Sequence, residues 1–292
     1  MSEIWTVRRL LTWTTQHFEK RGVDAPRLTT EILLAHTLLV DRVRLYVDLD
    51  RPLELAELST FRGLLQRRVQ GEPTQYLTGH REFYKRSFKV DARVLIPRPE
   101  TELLVDAVLL ALPKASTGRI VDLCTGSGCI AVSVLAERPL VTAVATDVSA
   151  GALALTRENA DGLGVGERLE LRVGDLTTVL KAGEAFDVVV ANPPYIATAE
   201  IATLSAEVRC EPTLALDGGT DGLQLIRRLV QGAKDFLRPG GLLAFEIGET
   251  QGPATLELLL SAGYQDARID RDFERRNRMA FGTRPAAAET HR

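Results

Sequence analysis

Arg119-Ile120-Val121-Asp122-Leu123-Cys124-Thr125-Gly126-Ser127-Gly128 is the stretch that decides the fold. Its apolar run reads as a buried strand, Ile120 to Cys124, and Thr125 to Gly128 read as a turn. A helical pattern follows to Arg138. Further on, Val141 to Asp147 reads as a second strand and Leu153 to Leu163 as a helix. Leu169 to Asp175 is a third strand, and Phe186 to Asn192 a fourth. Leu223 to Leu237 is helical, Pro239-Gly240-Gly241 a turn, and Leu242 to Ile247 a fifth strand. A helix around Glu257 to Leu260 precedes two last strands, Ala267 to Asp270 and Met279 to Gly282. Such alternation predicts an α/β fold: a largely parallel sheet with helices on both faces. No internal repeat interrupts it.

Upstream the pattern changes. Ile4, Val7, Leu11 and Phe18 share a helical face that Gly22 ends, and Asp24-Ala25-Pro26 opens a second helix. A short turn is expected around Val43 to Val47. Leu55, Leu58, Phe61, Leu65 and Val69 give a third helix, closed by Gly71-Glu72-Pro73. Residues 1–73 therefore read as a small helical bundle without a catalytic constellation. Residues 74–97 read as a β-hairpin linker, from Glu82-Phe83-Tyr84 and Ser87-Phe88-Lys89-Val90. The α/β domain spans 98–284, opened by Pro97-Arg98-Pro99-Glu100-Thr101-Glu102 and a helix to Leu112. Residues 285–292 read as a disordered tail.

A chain of 292 residues has room for two domains, and its 45% apolar and 26% charged content is that of an ordinary soluble protein. It has no apolar run of membrane-spanning length and no signal-peptide core, so a cytoplasmic location is expected. The net charge of −3 disfavours a general nucleic-acid binder. Nine Lys/Arg against three acids between Arg62 and Arg98 make one basic segment, suited to an acidic partner or to a solvated face. The three cysteines, Cys124, Cys129 and Cys210, form no Cys-x-x-Cys pair, so neither a disulfide framework nor a zinc site is expected. The four histidines lie away from every motif.

Gly126 and Gly128 let the backbone approach a ligand closely. Asp147 comes nineteen residues after Gly128, at a strand end, where an acid can bond both hydroxyls of a ribose. Asp175 can accept from an adenine amino group. Together they describe an adenosine pocket. The spacing Gly126-x-Gly128-x-x-Ala131 also satisfies the dinucleotide fingerprint, so NAD competes. Asn192-Pro193-Pro194-Tyr195 suits neither a hydride transfer nor a continuing strand, because two prolines stop a ladder. It leaves Asn192 in stiff extended backbone. The Asn192 oxygen and the Pro193 carbonyl can each accept one N–H of a planar NH2 group. Tyr195 can offer a ring face to a substrate or a cationic methyl donor.

The tetrapeptide resembles the signature of amino-group methyltransferases that use S-adenosylmethionine and act on adenine, cytosine or a glutamine amide. Asp122, four residues before Gly126, has the placement typical of such enzymes. Taken with Ile96 to Glu102, Asp122 to Gly128, Glu211-Pro212, and Arg271-Asp272 followed by Arg278, it resembles the bacterial release-factor glutamine N5-methyltransferase family over almost the whole chain. The resemblance implies a Rossmann-like class I methyltransferase fold behind a helical N-terminal domain. It implies methylation of the glutamine of a Gly-Gly-Gln loop in class I peptide chain release factors, in translation termination. Cys124, Thr125, Gly126, Ser127, Gly128, Asp147 and Asn192 would contact S-adenosylmethionine, with Asp175 and Leu176 at its adenine end. Asn192, Pro193, Pro194 and Tyr195 would hold the glutamine, with no metal, membrane or direct nucleic-acid partner. Cys124 stands where a glycine is common, and Leu176 where some relatives carry an aromatic. A sister family acting on a ribosomal protein commonly reads Pro-Arg-Ser-Pro where this chain has Pro97-Arg98-Pro99-Glu100. An adenine methyltransferase of DNA or RNA would need a groove for a flipped base.

Overall fold

The computed structural model describes residues 4–286 and divides into two units. The first takes the described residues through His80 together with Ser205–Cys210; the second takes Arg81–Leu204 and the chain from Glu211. The tail expected over 285–292 lies, from residue 287 on, outside the described residues.

In the first unit, α1 (Val7–Lys20), α2 (Pro26–Leu38), α3 (Arg42–Val47), α4 (Leu55–Val69) and α5 (Thr74–Thr78) share one core. Each apolar stripe faces that core: Val7, Leu11 and Phe18 from α1, Leu33 and Leu34 from α2, Phe61 and Leu65 from α4. Thr6 caps α1 by accepting the Arg9 N–H at 3.3 Å. Helix α5 corrects the expected linker, which was to begin at residue 74. Pro73 starts a helix rather than only ending one, Leu77 is buried in the helical core, and Gly79 in left-handed backbone stops the turn.

The second unit begins within the hairpin of β1 (His80–Phe83, whose first residue is the first unit's) and β2 (Arg86–Lys89). Its turn residues Tyr84 and Lys85 both have positive φ, the geometry of a tight primed turn. The hairpin is docked: Phe83 and Phe88 meet edge to face and sit in the same core as Leu104 and Val105. The Asn159 side chain exchanges two hydrogen bonds with the Lys89 backbone. The expected basic segment is largely neutralised by ion pairs, Arg86 with Glu137, Lys89 with Glu158, and Arg93 with Asp91.

The second unit continues with α6 (Glu102–Ala111), β3 (Arg119–Leu123), α7 (Cys129–Glu137), β4 (Thr142–Asp147), α8 (Ala150–Gly162), β5 (Leu169–Val173) and β6 (Phe186–Ala191). Then come the short α9 (Ala206–Arg209, in the first unit), α10 (Gln224–Phe236), β7 (Leu237–Glu246), α11 (Gly252–Ser261), β8 (Gln265–Arg271) and β9 (Asn277–Thr283). The sheet order is β5-β4-β3-β6-β7-β9-β8. The first five strands are parallel, and β9 runs antiparallel to both β7 and β8. Strand residues alternate between two cores: Ile120, Val188 and Val190 on one face, Val121, Leu123, Val189 and Ala191 on the other. Both faces are therefore covered, as continuous apolar strands require. The chain reverses direction of growth beside β3, and such switch points open a crevice at the strand carboxyl ends.

The turn expected at Pro239-Gly240-Gly241 is corrected. Strand β7 runs through it as a bulge, with Leu237 opposite Phe186 and Leu242 opposite Val188. Gly240, at φ +78°, takes the bend, and Gly240 and Gly241 exchange backbone bonds with Arg284 at 2.9 Å. Strand β5 also ends earlier than expected, at Val173, and Asp175 instead precedes a single helical turn. Among the described residues, no helix is long and apolar enough to cross a membrane.

Candidate active site

A cavity of about 260 Å³ opens at the carboxyl ends of β3, β4, β5 and β6. Cys124, Thr125, Gly126, Ser127, Asp147, Asp175, Leu176, Asn192 and Pro194 line it. Four strands that are distant in sequence thus deliver their ends to one crevice, because they are parallel and neighbours in the sheet.

The glycine turn is held from beneath. Asp122, on β3, is fully buried; one of its oxygens accepts the Thr125 hydroxyl at 2.7 Å and the Ala131 N–H at 3.2 Å. Its Oδ1 has no partner among the described residues. Burial pushes this carboxyl up to about 7. Thr125 N–H also donates to the Thr146 carbonyl, joining the turn to β4. Cys124 has φ +59°, so the position that favours glycine carries a side chain in left-handed backbone. Burial pushes its thiol well above the ordinary range. A Cβ on Gly126 would meet nothing, so this turn leaves open space. Gly128 does not line the cavity; a Cβ there would stand 2.7 Å from Thr156, so this glycine lets α7 start close against α8.

Asp147 accepts the Gly126 N–H and the Ser149 N–H, and burial raises its carboxyl above the usual range. Asp175 faces the cavity as half of an ion pair, with Arg228 at 2.6 Å. Leu176 is buried beside it in left-handed backbone.

Of the tetrapeptide, Asn192 and Pro194 reach the cavity, while Pro193 and Tyr195 do not line it. The Tyr195 ring packs against the sheet core, and its hydroxyl donates to Glu246 at 2.9 Å. Asn192 Nδ2 donates to the Thr101 hydroxyl oxygen at 3.2 Å. Two groups absent from the sequence reading hold this corner. Glu246, at the end of β7, joins Thr101 to Tyr195, and Gln251 donates from one nitrogen to the carbonyls of Tyr195 and Gly222. Glu211, buried, accepts the Ile96 N–H and the Arg98 guanidinium, fixing the Pro97-Arg98 entry. Of these, only the Glu211-Pro212 pair stands out in the sequence; Glu246 reads as any strand-end acid.

The chain matches known proteins over most of its length. Residues 9–79 match the PrmC N-terminal domain, and residues 100–209 match the methyltransferase small domain. A release factor glutamine methyltransferase of Moorella thermoacetica is 44% identical over 280 residues, covering 96% of this chain and 99% of its own. The chain belongs to the release factor glutamine methyltransferase family. A second member, from Geobacter sulfurreducens, is 43% identical over 90% of this chain and 92% of its own. The fold alone is shared with a solved methyltransferase from Pyrococcus furiosus, at 16% identity and a TM-score of 0.51, over 68% of this chain and 88% of that one. This member of the family is accordingly an enzyme, a methyltransferase with the class I fold.

Proposed function

We propose that the enzyme transfers a methyl group from S-adenosylmethionine to the N5 side-chain amide nitrogen of the glutamine in the Gly-Gly-Gln loop of class I peptide chain release factors, acting in the cytoplasm on translation termination. One observation carries the reading: Asn192 lines the same cavity as the glycine turn and Asp147. On this reading the acceptor for an NH2 group and the site for the adenosine lie in one crevice.

The residues fit the donor. The turn after β3 leaves open space at Gly126, and Asp147 keeps acceptor capacity beyond its two backbone bonds. Cys124 to Ser127 would flank the methionine and ribose, Asp147 would take the ribose hydroxyls, and Asp175 with Leu176 would border the adenine. When bound, S-adenosylmethionine supplies an electrophilic methyl on a cationic sulfur. On this reading Asn192, which lines the cavity, does the orienting, with the carbonyl of Pro193, a residue outside the cavity lining, as the second acceptor for the bound substrate. Each accepts one N–H of the glutamine amide, which fixes the plane of a poor nucleophile whose lone pair is delocalised. The proton leaves after transfer, since an N-methylated amide cation is strongly acidic, so no strong base has to be supplied.

A glutamine side chain offers few atoms for recognition. We assign the choice of protein to the helical N-terminal unit, which carries no chemistry of its own. A short Gly-Gly-Gln peptide is therefore expected to be a much poorer substrate than the intact factor. The direct test is tandem mass spectrometry of a purified class I release factor incubated with enzyme and S-adenosylmethionine. One added methyl on the glutamine of Gly-Gly-Gln is expected; an unmodified factor, or methylation elsewhere, contradicts the proposal.

A further inference from the structure

Glu246 is only 1% exposed, yet it is a carboxyl with two hydroxyl partners drawn from different parts of the chain. Thr101 donates to Oε2 at 2.6 Å, and Tyr195 donates to Oε1 at 2.9 Å. Burial pushes the carboxyl up, while these two donors and the charge of Arg278 favour its ionised form. In both contacts the hydroxyl is the donor and a carboxyl oxygen of Glu246 the acceptor, so both hydroxyl protons point at it. Thr101 has one proton. With that proton on Glu246, the Thr101 oxygen can meet Asn192 only as an acceptor, and only Nδ2 of Asn192 donates. The 3.2 Å contact between Nδ2 and Thr101 follows from this. It leaves Oδ1 of Asn192 as the group available to a donor from outside.

We propose that Glu246 is a positioning residue: through Thr101 it fixes which way the Asn192 amide faces, and so presents an oxygen rather than an NH2 to the substrate amide. The inference rests on the role proposed above for Asn192. An Asn amide is nearly symmetric in shape, so packing alone does not choose between its two orientations; a hydrogen-bond partner of fixed polarity does. If the amide turned, two NH2 groups would face each other and the substrate would lose an acceptor. Tyr195, held by the other oxygen, anchors the end of the same tetrapeptide.

The test compares Thr101→Val, which keeps the shape and removes the hydroxyl, with Thr101→Ser, which keeps the hydroxyl. Thr101→Val is expected to lower kcat on the release factor by about tenfold or more, as for other lost transition-state contacts, with KM and cofactor affinity near wild type. Thr101→Ser is expected to restore kcat. A second readout does not need turnover: solvent exchange of the Asn192 side-chain NH2 protons by NMR, assigned through their loss in Asn192→Ala. One proton is expected to be protected in wild type and in Thr101→Ser, and unprotected in Thr101→Val. Unchanged protection in Thr101→Val overturns the proposal whatever the kinetics, and so does an equal kcat loss in both variants. Should Thr101→Val fail to fold, Glu246→Gln carries the exchange test: weakened protection supports the lock, full protection overturns it. If wild type leaves the release factor unmethylated, the functional reading fails, while the exchange data still decide the lock.

Discussion

Asp147 Oδ2 accepts the backbone N–H of Gly126 at 3.0 Å, tying the end of β4 to the glycine turn after β3. The other oxygen accepts the Ser149 N–H at 2.9 Å, which aligns the carboxylate along the cavity wall. The acid therefore shapes the turn and, in the proposed function, bonds the ribose. Asp147→Ala is expected to weaken S-adenosylmethionine binding by about 1.5–3 kcal/mol, the scale of a charged hydrogen bond. Calorimetry on the folded variant measures it, and an unchanged affinity removes Asp147 from the cofactor's partners.

Cys124 holds a left-handed conformation that glycine adopts without strain and a β-branched residue resists. Cys124→Gly is expected to stay within about 1 kcal/mol of wild-type stability, since lost strain offsets lost packing and added chain entropy. Cys124→Val is expected to cost about 2 kcal/mol or more, the range of backbone strain at such positions. Urea midpoints separate the two; a Val variant as stable as the Gly variant would show that the turn can relax.

A Cβ on Gly218 would lie 2.7 Å from Tyr195 Cα and 2.9 Å from the Pro194 carbonyl oxygen, both backbone atoms that cannot swing aside. Gly218→Ala should displace the tetrapeptide while leaving the glycine turn in place. Turnover is expected to fall by about tenfold to a hundredfold, the cost of a small misplacement of reacting groups. Cofactor affinity should change far less. Steady-state kinetics beside calorimetry checks this, and equal losses in both would mean that the whole cavity had been disturbed.

Asp122 makes stability depend on pH. Its carboxyl is raised from 3.8 to about 7 by burial, so the folded state keeps the proton over a range where the unfolded state has lost it. Its contribution is complete below about pH 4 and is lost as pH rises toward 7. Asp122→Asn keeps the size, offers an oxygen to Thr125 and Ala131, and cannot ionise. The Tm of wild type minus that of Asp122→Asn should therefore fall between pH 4 and pH 7. A difference that is flat with pH would place the titration elsewhere.

The parts of the glycine turn and of the cavity that were legible in sequence are those fixed by short spacing. Asp122, Gly126, Gly128, Asp147 and Asn192 announce themselves by their distance from a strand end or a proline, because strand geometry converts that distance into position. Thr101 and Glu246 are 145 residues apart, and nothing local distinguishes either from a helix-start threonine or a strand-end acid. Their pairing exists only because α6 and β7 are brought together by the sheet. Helix α5 was hidden for a different reason: Pro73 fits the end of one helix and the start of the next equally well. Pro239-Gly240-Gly241 has turn chemistry, but β6 and β9 on either side keep the chain in the sheet and convert the turn into a bulge.

The central claim is that Asn192 orients the amide that is methylated. The most direct measurement is the single-turnover rate of methyl transfer to the intact release factor by Asn192→Ala, with cofactor affinity measured on the same preparation. The account predicts a rate lower by about a hundredfold or more, as for a lost transition-state acceptor, with cofactor affinity far less affected. A variant that methylates the factor at near wild-type rate would contradict it, and would make Asn192 a structural residue of the strand end.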